Sequence, residues 1–81
     1  MDPNNLVKAI VDLSIFLEFT DADLLDEDAG VAAMEQLAAE LQQMDEADQQ
    51  EFARRVVALA PSYGPPHAEF VENLPDALGV G

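Results

Sequence analysis

The stretch Glu18-Phe-Thr-Asp-Ala-Asp-Leu-Leu-Asp-Glu-Asp28 divides the chain into parts of different character. Six of its eleven residues are carboxylates, and no base interrupts them. The segment before it is more apolar than an ordinary surface helix, and two amphipathic segments follow it. Apolar residues recur at helical spacing on both sides, with no competing strand alternation, so we predict an all-α fold. We expect a small bundle of three main helices with a short fourth helix at the C-terminal end.

The apolar segment before the acidic stretch predicts a first helix with two apolar faces. Asp2 and Pro3 are typical of a helix start, as a cap and a first helical residue. The spacing four, three, four predicts a core stripe of Leu6, Ile10, Leu13 and Leu17. A second apolar line runs beside it and consists of Val7, Val11 and Ile15. Since a helix of this kind is central in a fold or shares a face with another chain, we predict a homodimer or partner contact through it.

Within the acidic stretch, several residues have predicted structural roles. Thr20 and Asp23 have the spacing of a capping box. The segment from Asp21 to Leu25 is compatible with a single helical turn, which we expect to place both Leu24 and Leu25 in the core. Asp26 or Asp28 then caps the second main helix, where further carboxylates favourably meet its positive end.

The remaining helices follow from periodicity and caps. The second helix is predicted to turn inward Val31, Met34, Leu37, Ala38 and Leu41. Asp45 begins a third helix that runs to about Ala60, with Phe52, Val56 and Leu59 inward. Proline and glycine then indicate a stiff loop. A fourth helix is predicted over residues 67–73, and residues 75–78 add one further turn.

The charge balance restricts the classes of partner. Seventeen acids and three bases give 81 residues a formal net charge of −14. Direct binding to nucleic acid is not expected, because no basic patch could displace counterions, and the same charge disfavours anionic membranes. A cationic protein surface is the natural partner. The alternative, that the acids only keep a small apolar bundle soluble, remains open. We treat residues 1–81 as a single acidic helical domain.

The N-terminal sequence and the length of the apolar run lead us to expect a cytoplasmic protein. Met1-Asp2-Pro3 lacks the basic beginning of a signal peptide, and the apolar run over residues 6–19 is too short to span a bilayer. Cysteine is absent, which excludes disulfides, thiolate metal sites and thiol catalysis.

No pattern of residues predicts an enzyme, a metal or a cofactor. An EF-hand loop needs an oxygen ligand at position five and glutamate at position twelve. Counting from Asp21 these positions are Leu25 and Ala32, and counting from Asp26 they fall on Gly30 and Leu37. The paired carboxylates have no apolar cleft to separate their pKa values. The single histidine, at 67, follows two prolines and is typical of a loop or cap.

Three segments carry a resemblance to a known class of protein. They are Asp26-Glu-Asp28, Ala33-Met-Glu-Gln-Leu-Ala-Ala-Glu-Leu41 and Asp45-Glu-Ala-Asp-Gln-Gln-Glu-Phe52. Together they resemble small acidic helical immunity proteins encoded beside bacterial toxins, over roughly the middle half of the chain. The likeness consists of helix caps and heptad-like spacing, so no family-specific inhibitory residue is carried over. It implies tight one-to-one binding to a cationic toxin domain, whose active site is blocked by occupation.

The predicted function is therefore that of a non-enzymatic interaction module, with toxin neutralisation as its most specific form. Electrostatic steering is assigned to Asp21, Asp23, Asp26, Glu27 and Asp28. Apolar anchoring is assigned to Leu24, Leu25, Phe19 and Tyr63. Two alternatives stay open: a homodimeric structural or adaptor protein, and a phage-type acidic nucleic-acid mimic that inhibits a DNA- or RNA-binding enzyme.

Overall fold

Four α-helices account for most of residues 3–81, the part of the chain that the computed structural model describes. They are α1 (Pro3–Phe19), α2 (Glu27–Leu41), α3 (Glu46–Leu59) and α4 (His67–Ala77), with a 3-10 turn at Ala60–Ser62. No strand occurs within residues 3–81, so the predicted all-α bundle with a short fourth helix is confirmed. The capping role predicted for Asp2 lies outside the described residues.

The hydrophobic core lies where α1, α3 and α4 meet. Helix α3 packs against both α1 and α4, whereas α2 packs chiefly against α1. The buried apolar residues are Val7, Val11, Leu41, Phe52, Val56, Ala60, Val71, Leu74, Leu78 and Val80. Among the helices of residues 3–81, α1 is the one close neighbour of α2, so much of the surface of α2 faces away from this core.

Only part of the predicted stripe of α1 enters the core. Ile10 is half-buried and packs against the core, whereas Leu6 is 47% exposed and Leu13 is 51% exposed. The fully buried residues of α1 are Val7, Val11 and Ser14. For Leu6 and Leu13 the prediction was wrong because both apolar lines have helical spacing, so spacing alone could not choose between them. The smaller side chains of the buried line allow the neighbouring helices to approach more closely.

Ser14 shows how closely α1 is packed. It is fully buried, and its hydroxyl donates a hydrogen bond of 2.8 Å to the carbonyl oxygen of Ile10, one turn earlier. The hydroxyl is thus satisfied within α1, so the residue can occupy an apolar interface without an unpaired polar group.

The acidic stretch forms a tight corner between α1 and α2, and only part of its predicted structure is present. Thr20 directly follows α1, and its amide still donates to the carbonyl of Phe16 at 3.2 Å. That amide is therefore not available to Asp23, and the predicted capping box does not form. The predicted helical turn does form, because the amides of Leu24 and Leu25 both donate to the Asp21 carbonyl at 2.9 Å. Leu25 is half-buried. Leu24 is 83% exposed, which contradicts its predicted place in the core.

The caps of α2 and α3 differ in their hydrogen bonding. Asp45 caps α3 as predicted, and its carboxylate accepts a hydrogen bond of 3.1 Å from the Asp48 amide. Asp26 occupies the capping position of α2, but its side chain makes no capping hydrogen bond. Val31, in the first half of α2, is 58% exposed rather than inward, because no second helix covers that part of α2.

Helix α4 combines the predicted fourth helix and the predicted extra turn, and it contains Pro75. Gly79 follows it with a φ of +75°, the left-handed conformation that glycine adopts without steric cost. The Val80 amide donates to the Pro75 carbonyl at 3.0 Å and the Gly79 amide to the Asp76 carbonyl at 3.1 Å. This pair of bonds is a Schellman motif, which ends the helix and turns Val80 back into the core.

Candidate functional site

An apolar groove lies between α2, the C-terminal end of α1 and α4. We call it the α2 groove. Its cavity volume is about 820 Å³, within the usual range of ligand and peptide sites. The apolar side chains that line it are Leu17, Ala22, Leu25, Val31, Met34, Ala38, Phe70, Ala77 and Leu78. Most of these are exposed or half-buried, so the groove is open to solvent.

The groove exists because α2 is fixed at its two ends. Near its start, Gly30 is buried against α1, and a Cβ atom there would lie 3.5 Å from the Leu17 carbonyl oxygen. Just beyond its end, the Gln42 side-chain amide donates a hydrogen bond of 2.8 Å to the Leu78 carbonyl after α4. The middle of α2 therefore spans the gap between two anchored ends, and its inner face lines an open groove.

The rim of the α2 groove is strongly acidic. Five of its lining residues are carboxylates: Glu18, Asp26, Glu27, Asp28 and Glu35. No base is among the groove-lining residues that the structure describes. The chain's bases are engaged elsewhere, since Lys8 pairs with Asp12 at 2.7 Å and both arginines pair with Glu51. The groove therefore combines an apolar floor with uncompensated negative charge.

The structure brings together only some of the predicted binding residues. Asp26, Glu27, Asp28 and Leu25 line the α2 groove. The exposed residues Asp21, Asp23 and Leu24 lie in the connecting turn and do not line it.

Phe19 supports the groove from outside. Its ring centroid lies 4.5 Å from that of His67 and 5.4 Å from that of Phe70, the latter in an edge-to-face arrangement. Phe70 lines the groove, so Phe19 positions a groove residue while 43% of its own surface stays exposed. The single histidine is thereby placed against an aromatic ring at the start of α4.

Tyr63 belongs to a separate cluster with Lys8 and Asp12. The Tyr63 hydroxyl donates a hydrogen bond of 2.5 Å to one Asp12 carboxylate oxygen, and the Lys8 ammonium donates to the other at 2.7 Å. The same ammonium lies 5.8 Å from the centre of the tyrosine ring. The hydrogen bond from Lys8, with that from Tyr63, lowers the pKa of Asp12. Tyr63 therefore ties the loop before α4 to α1 and is not part of the groove.

The environment of Tyr63 gives a direct spectroscopic prediction. Burial, followed by its hydrogen bond to Asp12 and the negative charge there, raises the pKa of Tyr63 to about 12. Since this value is above the ordinary 10.0, the neutral tyrosine contributes stability that is complete below pH 10 and is lost towards pH 12. Tyr63 is the single tyrosine and tryptophan is absent, so ultraviolet absorbance reports on it alone.

In a titration of the folded chain we expect a midpoint near 12. Asp12→Asn should lower it without reaching the ordinary value, because the effect of burial remains. The urea-unfolded chain is the control and should titrate at about 10. A midpoint at the ordinary value in the folded chain, with folding checked by circular dichroism, would contradict the Tyr63–Asp12 contact.

Several groove residues were not predicted as binding residues. Glu18 and Glu35 were not singled out, and Phe70 was given no role. Leu17, Met34 and Ala38 were predicted as core residues, and Met34 and Ala38 do pack against the core while they also line the groove. Helical spacing along α2 does place Val31, Met34, Glu35 and Ala38 on one side. That signal shows that they share a face, but it does not show whether another helix covers the face.

Residues 3–81 contain neither a metal-binding cluster of side chains nor a membrane-spanning helix. No group of three or more histidine or acidic side chains there is arranged to hold a metal ion. No helix in this range is long and apolar enough to cross a membrane.

Comparison with protein-family models, curated proteins and solved structures finds no match to this chain.

Proposed function

We propose that this chain is a non-enzymatic interaction module that binds a cationic protein partner in the α2 groove. The observation that carries the proposal is the pairing of an apolar floor with five rim carboxylates and no lining base. The groove is bounded by helices, and the usual occupant of such a groove is an amphipathic helix. The occupant that matches both features is a helix with one apolar face flanked by lysine and arginine.

The two parts of the groove would act at different stages of binding. The rim carboxylates raise the association rate of a cationic partner, an effect that salt weakens. The floor residues then supply affinity, because burying apolar area releases about 25 cal/mol per Å². Asp21 and Asp23 on the neighbouring turn add to the steering field without contacting the occupant.

Toxin neutralisation is the most specific form of this proposal. A toxin domain that acts on nucleic acid or anionic surfaces carries cationic residues around its active site, and an acidic groove could cover them. The chain would then serve as an immunity protein in the cytoplasm, for which the lack of cysteine is suitable. Support comes from the acidity, the helical fold and the groove together.

The proposal predicts that rim charge matters more than total charge. The rim variant is Glu18→Gln, Glu27→Gln and Glu35→Gln. The matched control is Glu40→Gln, Glu46→Gln and Glu72→Gln, which changes the net charge equally. In both triplets one glutamate lies in a last helical turn, one begins a helix and one is central in a helix. None of the control residues lines the groove.

The probe is a leucine–lysine amphipathic helical peptide of about 18 residues, long enough to span α2. In stopped-flow measurements at low salt we expect the rim variant to associate about fivefold more slowly than the control. The rim variant should also show the weaker salt dependence. Equal rates and equal salt dependence in the two variants would contradict the groove as the binding site.

A further inference from the structure

The outer face of α1 carries an apolar strip that the rest of residues 3–81 leaves exposed. We call it the outer strip, and its members are Leu6, Ala9, Leu13 and Phe16. All four are exposed, and Phe16 is the most exposed of the three large ones, at 54%. An exposed, contiguous apolar row on a surface helix marks an interaction site more often than isolated apolar residues do.

The outer strip is uncharged on a chain of net charge −14. Helix α1 has two carboxylates, and neither adds a negative charge to the outer strip. Glu18 lines the α2 groove. Asp12 is already bonded to Lys8 and Tyr63. A cationic partner therefore gains little here, and an apolar surface without net charge fits better.

The spacing of the residues in the strip allows it to pair with a second copy of itself. The members are separated by three, four and three positions, so the spacing is the same from either end. A two-fold interface uses the same patch on both subunits. A contact between residue i of one copy and residue j of the other is therefore repeated as a contact between residue j of the first copy and residue i of the second. In an antiparallel pair, Leu6 of one copy therefore faces Phe16 of the other, and Ala9 faces Leu13. The small Ala9 side chain allows the helices to approach closely beside Leu13.

From these observations we propose that the chain forms a two-fold homodimer through antiparallel pairing of α1 helices along the outer strip. The spacing of three and four is the one that keeps a packed seam between two helices. None of the four strip residues lines the α2 groove, so a dimer would keep two grooves accessible. An interface between single helices lies at the small end of protein interfaces, and we expect a Kd of about 10 µM.

Sedimentation equilibrium of the full chain, from about 1 to 500 µM, tests the dimer. The interface variant is Leu13→Glu, and the matched control is Leu24→Glu, on an exposed leucine outside the strip. We expect the wild type and the control to dimerise and Leu13→Glu to stay monomeric. Added salt should strengthen the dimer, because it screens repulsion between two acidic chains. A monomeric wild type at the highest concentration, or equal behaviour of the two variants, would overturn the proposal.

Cysteine cross-linking tests the antiparallel arrangement, because the chain has no cysteine of its own. A disulfide requires Cα atoms within about 7 Å. A mixture of Leu6→Cys and Phe16→Cys chains should therefore form the mixed disulfide, whereas Leu6→Cys alone should not cross-link. Efficient cross-linking of Leu6→Cys alone would indicate parallel helices and overturn the arrangement.

Discussion

Leu74→Ala is expected to lower the free energy of unfolding by about 3 kcal/mol, the typical cost of a leucine-to-alanine change in a packed core. Leu74 is fully buried and belongs to the core shared by α1, α3 and α4. A domain of this length has a total stability of about 4–12 kcal/mol. The substitution should therefore remove a large part of the stability of the fold.

Urea unfolding followed by circular dichroism measures this effect. The control is Leu24→Ala, the same substitution at a side chain that is 83% exposed. We expect the control to change stability by less than about 0.5 kcal/mol. Similar losses of unfolding free energy in the two variants would show that Leu24 is also packed in the folded chain. That result would contradict the exposed position of Leu24 in the turn between α1 and α2.

Val31→Lys is expected to weaken binding of the leucine–lysine peptide at least about tenfold, equivalent to about 1.4 kcal/mol. Val31 lines the α2 groove and is 58% exposed, so a longer side chain fits without disturbing the core. The new ammonium would lie one turn from both Glu27 and Glu35 and pair with them. It would then occupy the acidic rim from within the chain and compete with a cationic occupant.

The matched control for this variant is Val57→Lys. Val57 is 45% exposed on α3 and lies outside the α2 groove, so the change in net charge is the same. Isothermal titration calorimetry should show a weakened peptide affinity for Val31→Lys and a nearly unchanged affinity for Val57→Lys. An equal loss in both variants would show that total charge, rather than the groove, governs binding.

Local signals in the sequence predicted the helices and their ends well. The cap at Asp45 depends on residues three apart, and such contacts are encoded within one turn. The single turn after Asp21 formed for the same reason. Helix α4 runs through Pro75 as one helix, whereas the sequence predicted a helix over residues 67–73 and a further turn over residues 75–78. The Schellman motif at Gly79 completes the hydrogen bonding at its end.

The arrangement of the helices could not be predicted from local signals. On α1, the Leu6 line and the Val7 line both have core spacing, and the choice depends on which line allows α3 to approach. Leu24 and Leu25 are adjacent leucines, and only the direction of the chain at the corner decides which of them is covered. The α2 groove depends on α2 packing chiefly against α1, a property of the whole bundle.

The two proposed surfaces should respond to salt in opposite directions. Binding of a cationic helix in the α2 groove weakens as salt screens the rim carboxylates. Pairing through the outer strip strengthens, because the same screening reduces repulsion between two acidic chains. A series of salt concentrations therefore separates the two activities without any substitution.

The most direct test of the α2 groove is nuclear magnetic resonance of the isotopically labelled chain during titration with the leucine–lysine peptide. We expect the largest amide shift changes at the groove residues Val31, Met34, Ala38 and Phe70. Residues near the control acids Glu46 and Glu72 should change little. Shift changes spread evenly over the acidic surface, or concentrated away from α2 and α4, would contradict the groove as the docking site.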